Sequence, residues 1–212
     1  MIYENREDAG FVLATELRKL KLFPKRTIVV GIARGGVVVA KVIADILKLP
    51  FFVLVIKKIG APYNTELAIG AVGSVGKPVL DKELVKELGV EADYVRNQVS
   101  KMRLEAKARG KYLGIKITRD TVLGKNIVVV DDGLATGQTA KAAALILKSL
   151  KAKKLVLAVP VSAYSTLEFL EKYWDRIVCP TKVTDFMAVG QFYRDFGPVT
   201  DEEVKKLLTI DN

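Results

Sequence analysis

The sequence predicts an α/β protein built on a doubly wound parallel sheet. Strand-like and helix-like segments alternate from Thr27 onward, which is the order that a parallel sheet with crossover helices requires. The strand-like segments are short, apolar and rich in β-branched residues, as in strands buried on both faces. Polar or glycine-rich turns follow several of these segments, and ligands bind at that edge of such sheets.

The first part of the chain contains two helix-like and two strand-like segments. Its opening stretch has apolar residues at helical spacing, and Pro24 is expected to end the helix because proline has no backbone N–H. In order, the predicted elements are a helix at Arg6–Leu20, a strand at Thr27–Gly31, a helix from Val37 to Leu47 and a strand at Phe51–Ile56.

The middle of the chain begins with a β-hairpin and continues with two helices. Gly73 and Gly76 permit the hairpin turn, and Asp81 is a suitable N-cap for the helix that follows. The predicted hairpin arms are Ala68–Val75 and Pro78–Leu80, and the helices are Lys82–Leu88 and Tyr94–Tyr112. Alternation then resumes with a strand at Ile127–Val130, a helix at Ala140–Leu150, a strand at Lys154–Pro160, a helix at Ser165–Tyr173 and a strand at Arg176–Cys179.

The last part of the chain does not continue the alternation. We therefore expect a single domain over residues 1–212, with a core at about 24–179 and a small C-terminal appendage at about 180–200. A last helix is predicted at Glu202–Leu208, with Thr200 or Asp201 as its N-cap.

The composition limits the available chemistry. The chain has no histidine, which excludes histidine-based metal sites and Ser-His or Cys-His nucleophilic catalysis. Its single cysteine, Cys179, excludes an intrachain disulfide. Any catalysis must therefore use carboxylates, lysine, arginine, tyrosine, backbone dipoles or a bound cation.

The chain is basic, with 34 Lys and Arg against 24 Asp and Glu and a formal charge of +10. This charge suits polyanionic ligands, but much of the excess lies in helices, so a solvated surface is favoured over nucleic-acid binding. Lys41, Asp45 and Lys48 interrupt the longest apolar region, and the N-terminus has no signal-peptide layout. A soluble, cytoplasmic protein without a membrane partner is expected.

Two neighbouring carboxylates follow the strand at Ile127–Val130. Asp131 and Asp132 repel each other and lose hydration there, so hydroxyls, cations or water must meet them. The next turn opens a helix with small and hydroxyl residues, which leave backbone N–H groups free for a phosphate. Its residues are Ala135, Thr136, Gly137, Gln138 and Thr139.

A second anion site is expected after the strand at Thr27–Gly31. Gly35 and Gly36 let the backbone approach a ligand closely, and Arg34 adds a bidentate anion donor beside free helix N–H groups. After the strand at Phe51–Ile56, residues 57–66 contain Gly, Pro and Asn and are predicted to form a loop. Its residues Lys57, Lys58 and Glu66 are candidates to close over an anion; a plain connector with solvated lysines is the alternative.

Residues 126–139 resemble the PRPP-binding signature of the type I phosphoribosyltransferases, in the form Asp-Asp-x-Leu-Ala-Thr-Gly-x-Thr that is most like adenine phosphoribosyltransferases. The resemblance implies that Asp131 and Asp132 hold the ribose hydroxyls and that Ala135 to Thr139 hold the 5-phosphate. Gly133, which belongs to the same PRPP-binding segment, departs from the aliphatic residue usual in the family. Ala135 replaces a carboxylate found in many hypoxanthine-type relatives, so a base is absent there.

The resemblance extends to three other segments. Ala33, Arg34, Gly35 and Gly36 resemble the pyrophosphate loop, which often contains a non-proline cis peptide, here expected near Ala33 and Arg34. Residues 57–66 correspond in position to the catalytic loop, so Lys57 or Lys58 would neutralise pyrophosphate and Glu66 would exchange a proton with the base. The C-terminal segment resembles the hood over the base, with Phe186 as the first and Tyr193 as the second candidate for stacking.

The family resemblance implies transfer of a phosphoribosyl group from PRPP to a nucleobase, with a purine favoured, and release of pyrophosphate. It also implies a Mg²⁺ ion, with Asp131 and Asp132 as candidate ligands, and a homodimer. Alternatives are a regulatory protein that senses PRPP or a nucleotide without turnover, and a nucleotide-binding domain of unrelated chemistry. The motif itself also has competing interpretations: a receiver domain, a P-loop that lacks its lysine, or an ordinary strand, turn and helix start.

Overall fold

The computed structural model describes residues 1–20, 26–114 and 117–209. Its strands are β1 (Thr27–Ile32), β2 (Phe51–Leu54), β3 (Ile56–Gly60), β4 (Ala68–Gly73), β5 (Val79–Leu80), β6 (Asn126–Val130), β7 (Lys154–Ala158), β8 (Val161–Ala163), β9 (Arg176–Val178) and β10 (Thr181–Val183). Its α-helices are α1 (Arg6–Lys19), α2 (Gly35–Leu47), α3 (Lys82–Glu87), α4 (Ala92–Tyr112), α5 (Arg119–Val122), α6 (Gln138–Ser149), α7 (Tyr164–Glu171) and α8 (Asp201–Thr209), with a 3₁₀ helix at Val189–Phe192.

The central sheet has five parallel strands in the order β2-β1-β6-β7-β9. Side chains of alternate residues point to opposite faces of a strand, and both faces of this sheet are covered. Ile127 and Val129 of β6 pack in the cluster that contains Leu147 of α6, whereas Val128 packs in the cluster that contains Leu13 of α1 and Ile43 of α2. This arrangement confirms the predicted doubly wound parallel sheet.

A second, antiparallel sheet is formed by β3, β4 and β5. The hairpin between β4 and β5 was predicted, and Asp81 caps α3 by accepting a hydrogen bond from Leu84 N–H. The predicted loop over residues 57–66 is wrong at its start, because Lys57 and Lys58 lie on β3. Ile59, the next residue, is buried, and the backbone pairing of β3 with β4 continues as far as Gly60.

The N-terminus and the C-terminal segment are joined by backbone hydrogen bonds. Tyr3 N–H donates to the Phe192 carbonyl at 2.8 Å, and Arg194 N–H donates to the Tyr3 carbonyl at 2.9 Å. Next along the chain, Asp195 N–H donates to the Glu4 carbonyl at 2.9 Å. The start of α1 is therefore fixed to residues 192–195, although these segments are far apart in sequence.

The predicted elements of the core are present with small shifts at their ends. Besides β3, the elements that were not predicted are α5, the 3₁₀ helix and the parallel pair of β8 and β10. The cap of α8 is Thr200, whose hydroxyl oxygen accepts from Glu203 N–H at 3.1 Å. The helix stop at Pro24 and the core boundary near residue 24 lie outside the described residues. None of the described helices is both long enough and apolar enough to cross a membrane.

Candidate functional site

The two sequence-predicted anion sites meet at the carboxyl edge of the central sheet. β1 and β6 are neighbouring parallel strands, and Gly31 at the end of β1 is paired with Val130 at the end of β6. The loops that follow them are therefore adjacent. A Cβ atom added to Gly35 would overlap with Oδ2 of Asp132, and one added to Gly36 would lie 2.7 Å from Cα of Asp131. Glycine at both positions lets the two loops touch.

The loop after β1 has an unusual backbone. The Ala33–Arg34 peptide bond is cis, as the resemblance of this segment to the pyrophosphate loop implied. Arg34 is exposed at the N-terminus of α2, and no side chain caps this helix. Val37 N–H donates to the Arg34 carbonyl at 3.0 Å, so the N–H groups of Gly35 and Gly36 are the donors left at the start of α2 for an anion next to the Arg34 guanidinium.

Burial is the main influence on the protonation of the acidic pair, and charge repulsion is the second. Burial raises the pKa of Asp131 well above its usual range, and the neighbouring charge of Asp132 raises it further. The N–H of Asp132, which donates to Oδ1 of Asp131 at 3.0 Å, and the positive charge of Arg6 both oppose this increase in pKa. Asp131 is therefore more readily protonated than an ordinary carboxylate.

Arg6 is the site residue that the sequence did not reveal. Its Nε donates to Oδ2 of Asp132 at 2.8 Å, and the two side chains are only 11% and 15% exposed. Its Nη1 donates to the Gly197 carbonyl at 2.8 Å, and its guanidinium lies 4.0 Å from the ring centre of Phe196. No motif marks Arg6, because its partners are remote in sequence.

The turn from Ala135 to Thr139 is anchored from two directions. Leu134 N–H donates to the Val161 carbonyl at 3.0 Å, and the Thr166 hydroxyl on α7 donates to the Ala135 carbonyl at 2.7 Å. Gly137 precedes α6 with a positive φ of 71°, which glycine adopts without strain. Ala135, Thr136 and Gln138 are exposed and Thr139 is half-buried, so this turn presents backbone N–H groups and hydroxyls at the surface.

The departure at Gly133 has a steric explanation. A Cβ atom added there would lie 2.5 Å from Cγ1 of Val189, which belongs to the 3₁₀ helix of the C-terminal segment. The side chain of Val189 therefore takes the space that a larger residue at position 133 would need. The turn at Gly133 is therefore packed against Val189.

The two predicted lysines point to opposite faces of β3. Lys57 pairs with Glu105 of α4 at 3.1 Å and lines a cavity of about 570 Å³ with Arg34 and Arg109. Lys58 is exposed and lines a separate cavity between the hairpin and the start of α6, with Gln138 and Thr139 among its walls. One lysine thus faces the loop after β1, and the other faces the turn after β6.

The remaining predicted residues have different environments. Glu66 is exposed in the turn between β3 and β4, and its carboxylate has no partner among the described residues. Phe186 is half-buried and stacks on Phe192, with ring centres 5.5 Å apart. Tyr193 is buried between the rings of Tyr3 and Phe196, at 5.5 and 4.9 Å, so neither ring face is open for stacking. Its hydroxyl instead donates to the Asp132 carbonyl at 2.6 Å.

Metal binding at this site would need ligands from outside the protein. Within the described ranges, no group of three or more Cys, Asp or Glu side chains is arranged to hold a metal ion. Asp131 and Asp132 supply hard oxygen ligands of the kind that Mg²⁺ prefers, but Oδ2 of Asp132 is already paired with Arg6. The donor set therefore fits a Mg²⁺ ion that obtains most of its ligands from a substrate and water.

Comparison with known proteins gives one family. The family model described as the phosphoribosyl transferase domain matches residues 2–196. Two relatives from Mycobacterium tuberculosis, strains CDC 1551 / Oshkosh and ATCC 25618 / H37Rv, are each named "Putative phosphoribosyl transferase" and are 38% identical over 207 residues. These matches cover 98% of this chain and 46% of each relative, so the chain spans about half the length of the curated relatives it matches.

Solved structures show the same architecture. TT1426 from Thermus thermophilus matches with a TM-score of 0.84 and 35% identity, covering 98% of both chains. A purine phosphoribosyltransferase from Pyrococcus horikoshii matches with a TM-score of 0.51 and 19% identity, covering 92% of this chain and 93% of that one. At 19% identity the similarity shows the fold alone.

The contact between the two loops can be tested with Gly35→Ala. We expect this variant to lose about 1–3 kcal/mol of unfolding free energy, because the added methyl group overlaps with the Asp132 carboxylate. Gly197→Ala is the matched control, since its added Cβ would lie 3.7 Å from Oδ1 of Asp195, which is the nearest described atom beyond its chain neighbours. Urea unfolding measures both variants. Equal stability of the two would contradict the close contact.

Proposed function

The chain belongs to the phosphoribosyl transferase family, and we propose that it transfers the 5-phosphoribosyl group of PRPP to a nucleobase, with a purine favoured, and releases pyrophosphate. The observation that carries this proposal is the direct contact of the Gly35-Gly36 loop with Asp131 and Asp132. A diol-binding acidic pair and an anion-binding helix start thereby lie side by side. PRPP carries a diol, a monophosphate and a diphosphate, which matches this combination of groups.

Asp131 and Asp132 are proposed to bind the two ribose hydroxyls. An ionised carboxylate accepts hydrogen bonds from hydroxyls, and such charge-assisted bonds contribute about 1.5–3 kcal/mol each. Oδ2 of Asp132 is paired with Arg6, so its Oδ1 is the oxygen proposed to accept from one hydroxyl, and the Asp131 carboxyl is proposed to bind the other. A vicinal diol can contact two neighbouring carboxyl groups at the same time.

The two phosphate groups are assigned to the two loops. We assign the 5-phosphate to residues 135–139, because this turn precedes α6 with exposed backbone and hydroxyl groups and follows the acidic pair directly. We assign the diphosphate to residues 33–36, where Arg34 and the free N–H groups of α2 adjoin the cavity lined by Lys57. Lys57 is then the better candidate for neutralising pyrophosphate.

The base is assigned to the C-terminal segment, with Phe186 as the stacking residue. Phe186 rests on Phe192 and is half-buried, which leaves part of the ring accessible, whereas both faces of the Tyr193 ring are covered. Glu66 remains the proposed proton partner of the base. It lies in the turn between β3 and β4, so it must approach the site when the substrate binds.

The reaction proposed here needs no protein nucleophile. A ring nitrogen of the base forms a bond to C1 of the ribose as the bond from C1 to the diphosphate oxygen breaks. The electron pair leaves with pyrophosphate, and the proton of that nitrogen passes to Glu66. Positive charge develops on the ribose ring and negative charge on the diphosphate, so fixed charges are the main requirement. Asp132, Arg34 and Lys57 supply charges of both signs. A Mg²⁺ ion bound to the diphosphate would neutralise further negative charge.

The proposal is tested with a panel of purine and pyrimidine bases. Each base is incubated with the protein, PRPP and Mg²⁺, and pyrophosphate release and nucleotide formation are measured. We expect one or a few purines to give both products in equal amounts, and chelation of Mg²⁺ to suppress the reaction. PRPP binding without product from any base would instead support a regulatory PRPP-sensing protein.

Asp132→Asn tests the assignment of the ribose site. We expect PRPP affinity to fall about tenfold or more, because an amide accepts a weaker hydrogen bond than a carboxylate. Asp120→Asn is the matched control, since Asp120 is exposed on α5. Calorimetric titration with PRPP measures both variants after circular dichroism has shown that they are folded. Unchanged PRPP affinity in Asp132→Asn would reject the ribose assignment.

Lys57→Gln and Lys58→Gln separate the two phosphate sites. Since the two side chains lie on opposite faces of β3, we expect Lys57→Gln to weaken pyrophosphate binding about five- to tenfold and to leave ribose 5-phosphate binding unchanged. The opposite pattern is expected for Lys58→Gln. Calorimetric titration with each ligand measures these effects, and identical profiles for the two variants would refute the separation.

A further inference from the structure

The strongest unexplained feature is the set of contacts that Arg6 makes. One guanidinium binds a carboxylate of the acidic pair, binds the carbonyl of Gly197 and covers the ring of Phe196. It thereby connects the start of α1 with the end of β6 and with the C-terminal segment. The side chain is only 11% exposed, so it is not a solvated surface arginine.

We propose that Arg6 is a positioning residue for the ribose site, which orients the Asp132 carboxylate and links ribose binding to the order of residues 186–197. This inference rests on the proposed function, because it takes the acidic pair to be the ribose site. It assigns no chemical step to Arg6. Arg6 acts through Asp132 and through the C-terminal segment.

The carboxylate geometry supports this role. Arg6 binds Oδ2 of Asp132, and no described donor binds Oδ1 of the same carboxylate. Arg6 therefore fixes the rotation of the carboxylate and leaves one oxygen for a hydroxyl. A neutral residue at position 6 would leave the Asp132 charge partly buried and without its partner. The loss of a partner at a site of low exposure lowers the stability of the folded protein.

The chemistry of the side chain also supports a link to the C-terminal segment. A planar guanidinium can donate to a carboxylate and to a carbonyl in its plane while an aromatic ring covers its face, which a lysine ammonium cannot reproduce. Asp132 is connected to the same segment a second time, because its carbonyl accepts from the Tyr193 hydroxyl. Two independent contacts thus join residue 132 to residues 193–197.

Arg6 has an alternative role as a direct ligand of the diphosphate, and this role makes a different prediction. Its Nε would lie 3.1 Å from a Cβ atom added to Gly35, so Arg6 also adjoins the loop after β1. A direct ligand of the diphosphate would contribute to pyrophosphate affinity. A residue that acts through Asp132 would contribute to ribose 5-phosphate affinity and leave pyrophosphate affinity unchanged.

The test uses Arg6→Gln, Arg6→Lys and Arg194→Gln. Arg194 is the matched control. It is an exposed arginine of the C-terminal segment, and it pairs with Glu4 rather than with Asp132. Calorimetric titrations with ribose 5-phosphate and with pyrophosphate are performed on each protein. We expect Arg6→Gln to lose about tenfold in ribose 5-phosphate affinity, Arg6→Lys to lose less, and both to retain wild-type pyrophosphate affinity. Arg194→Gln should match the wild-type protein.

A double variant tests whether Arg6 affects ribose 5-phosphate binding through Asp132 or independently of it. If Arg6 acts through Asp132, Arg6→Gln combined with Asp132→Asn should bind ribose 5-phosphate no more weakly than Asp132→Asn alone. Additive losses, or equal losses for ribose 5-phosphate and pyrophosphate, would overturn the inference. A wild-type protein that binds neither PRPP nor ribose 5-phosphate would instead refute the proposed function itself, together with this inference.

Hydrogen exchange tests the link to the C-terminal segment. Ribose 5-phosphate at a saturating concentration should slow amide exchange in residues 186–197 of the wild-type protein and of Arg194→Gln. The same ligand, saturating Arg6→Gln at a higher concentration, should slow exchange in that segment much less, because only the Tyr193 hydroxyl then joins the segment to residue 132. Equal slowing in Arg6→Gln and in the wild-type protein would show that the segment responds independently of Arg6 and would overturn the proposed link.

Discussion

Two adjacent carboxylates at the end of a buried strand impose the main constraint on this structure. β6 lies between β1 and β7 in the central sheet, so Asp131 and Asp132 cannot move away from the sheet edge. Their mutual repulsion and their burial must be offset locally. The surrounding chain does this with the Arg6 guanidinium and with the N–H of Asp132. The absence of side chains at Gly35 and Gly36 lets the neighbouring loop approach the pair.

The scaffold around the acidic pair explains why binding groups converge at this point. The loops after β1 and β6 are adjacent because their strands are paired in register. The Thr166 hydroxyl of α7 holds the turn after β6. Lys57 and Lys58 lie on β3, in the antiparallel sheet beside the site. Each group is carried by a regular element or anchored to one. Such anchoring maintains the geometry that an electrostatic site needs, since misplaced charges contribute little.

Local sequence patterns predicted the central part of this structure, but not the contacts between distant residues. The strands of the parallel sheet depend on residues close together in the chain, and the Ala33–Arg34 cis peptide was expected from the family resemblance of residues 33–36. Residues 57–60 of β3 were predicted to be a loop, because only the backbone pairing with β4 shows that they form a strand. Arg6 is 126 positions away from Asp132, and no local motif connects them. Tyr193 was predicted as a stacking residue, but Tyr3 from the other end of the chain covers its ring.

Charge compensation by Arg6 also connects the two ends of the chain. The backbone bonds of Tyr3 and Glu4 to residues 192–195 place α1 and the C-terminal segment in one unit, and Arg6 and Tyr193 attach this unit to Asp132. Any ligand that changes the interactions of the Asp132 carboxylate must therefore change the free energy of this unit as well. By thermodynamic reciprocity, anything that orders the unit alters the affinity of that carboxylate for its ligand. On the proposed function, the acidic pair is both the ribose site and the point at which the C-terminal segment is attached to it.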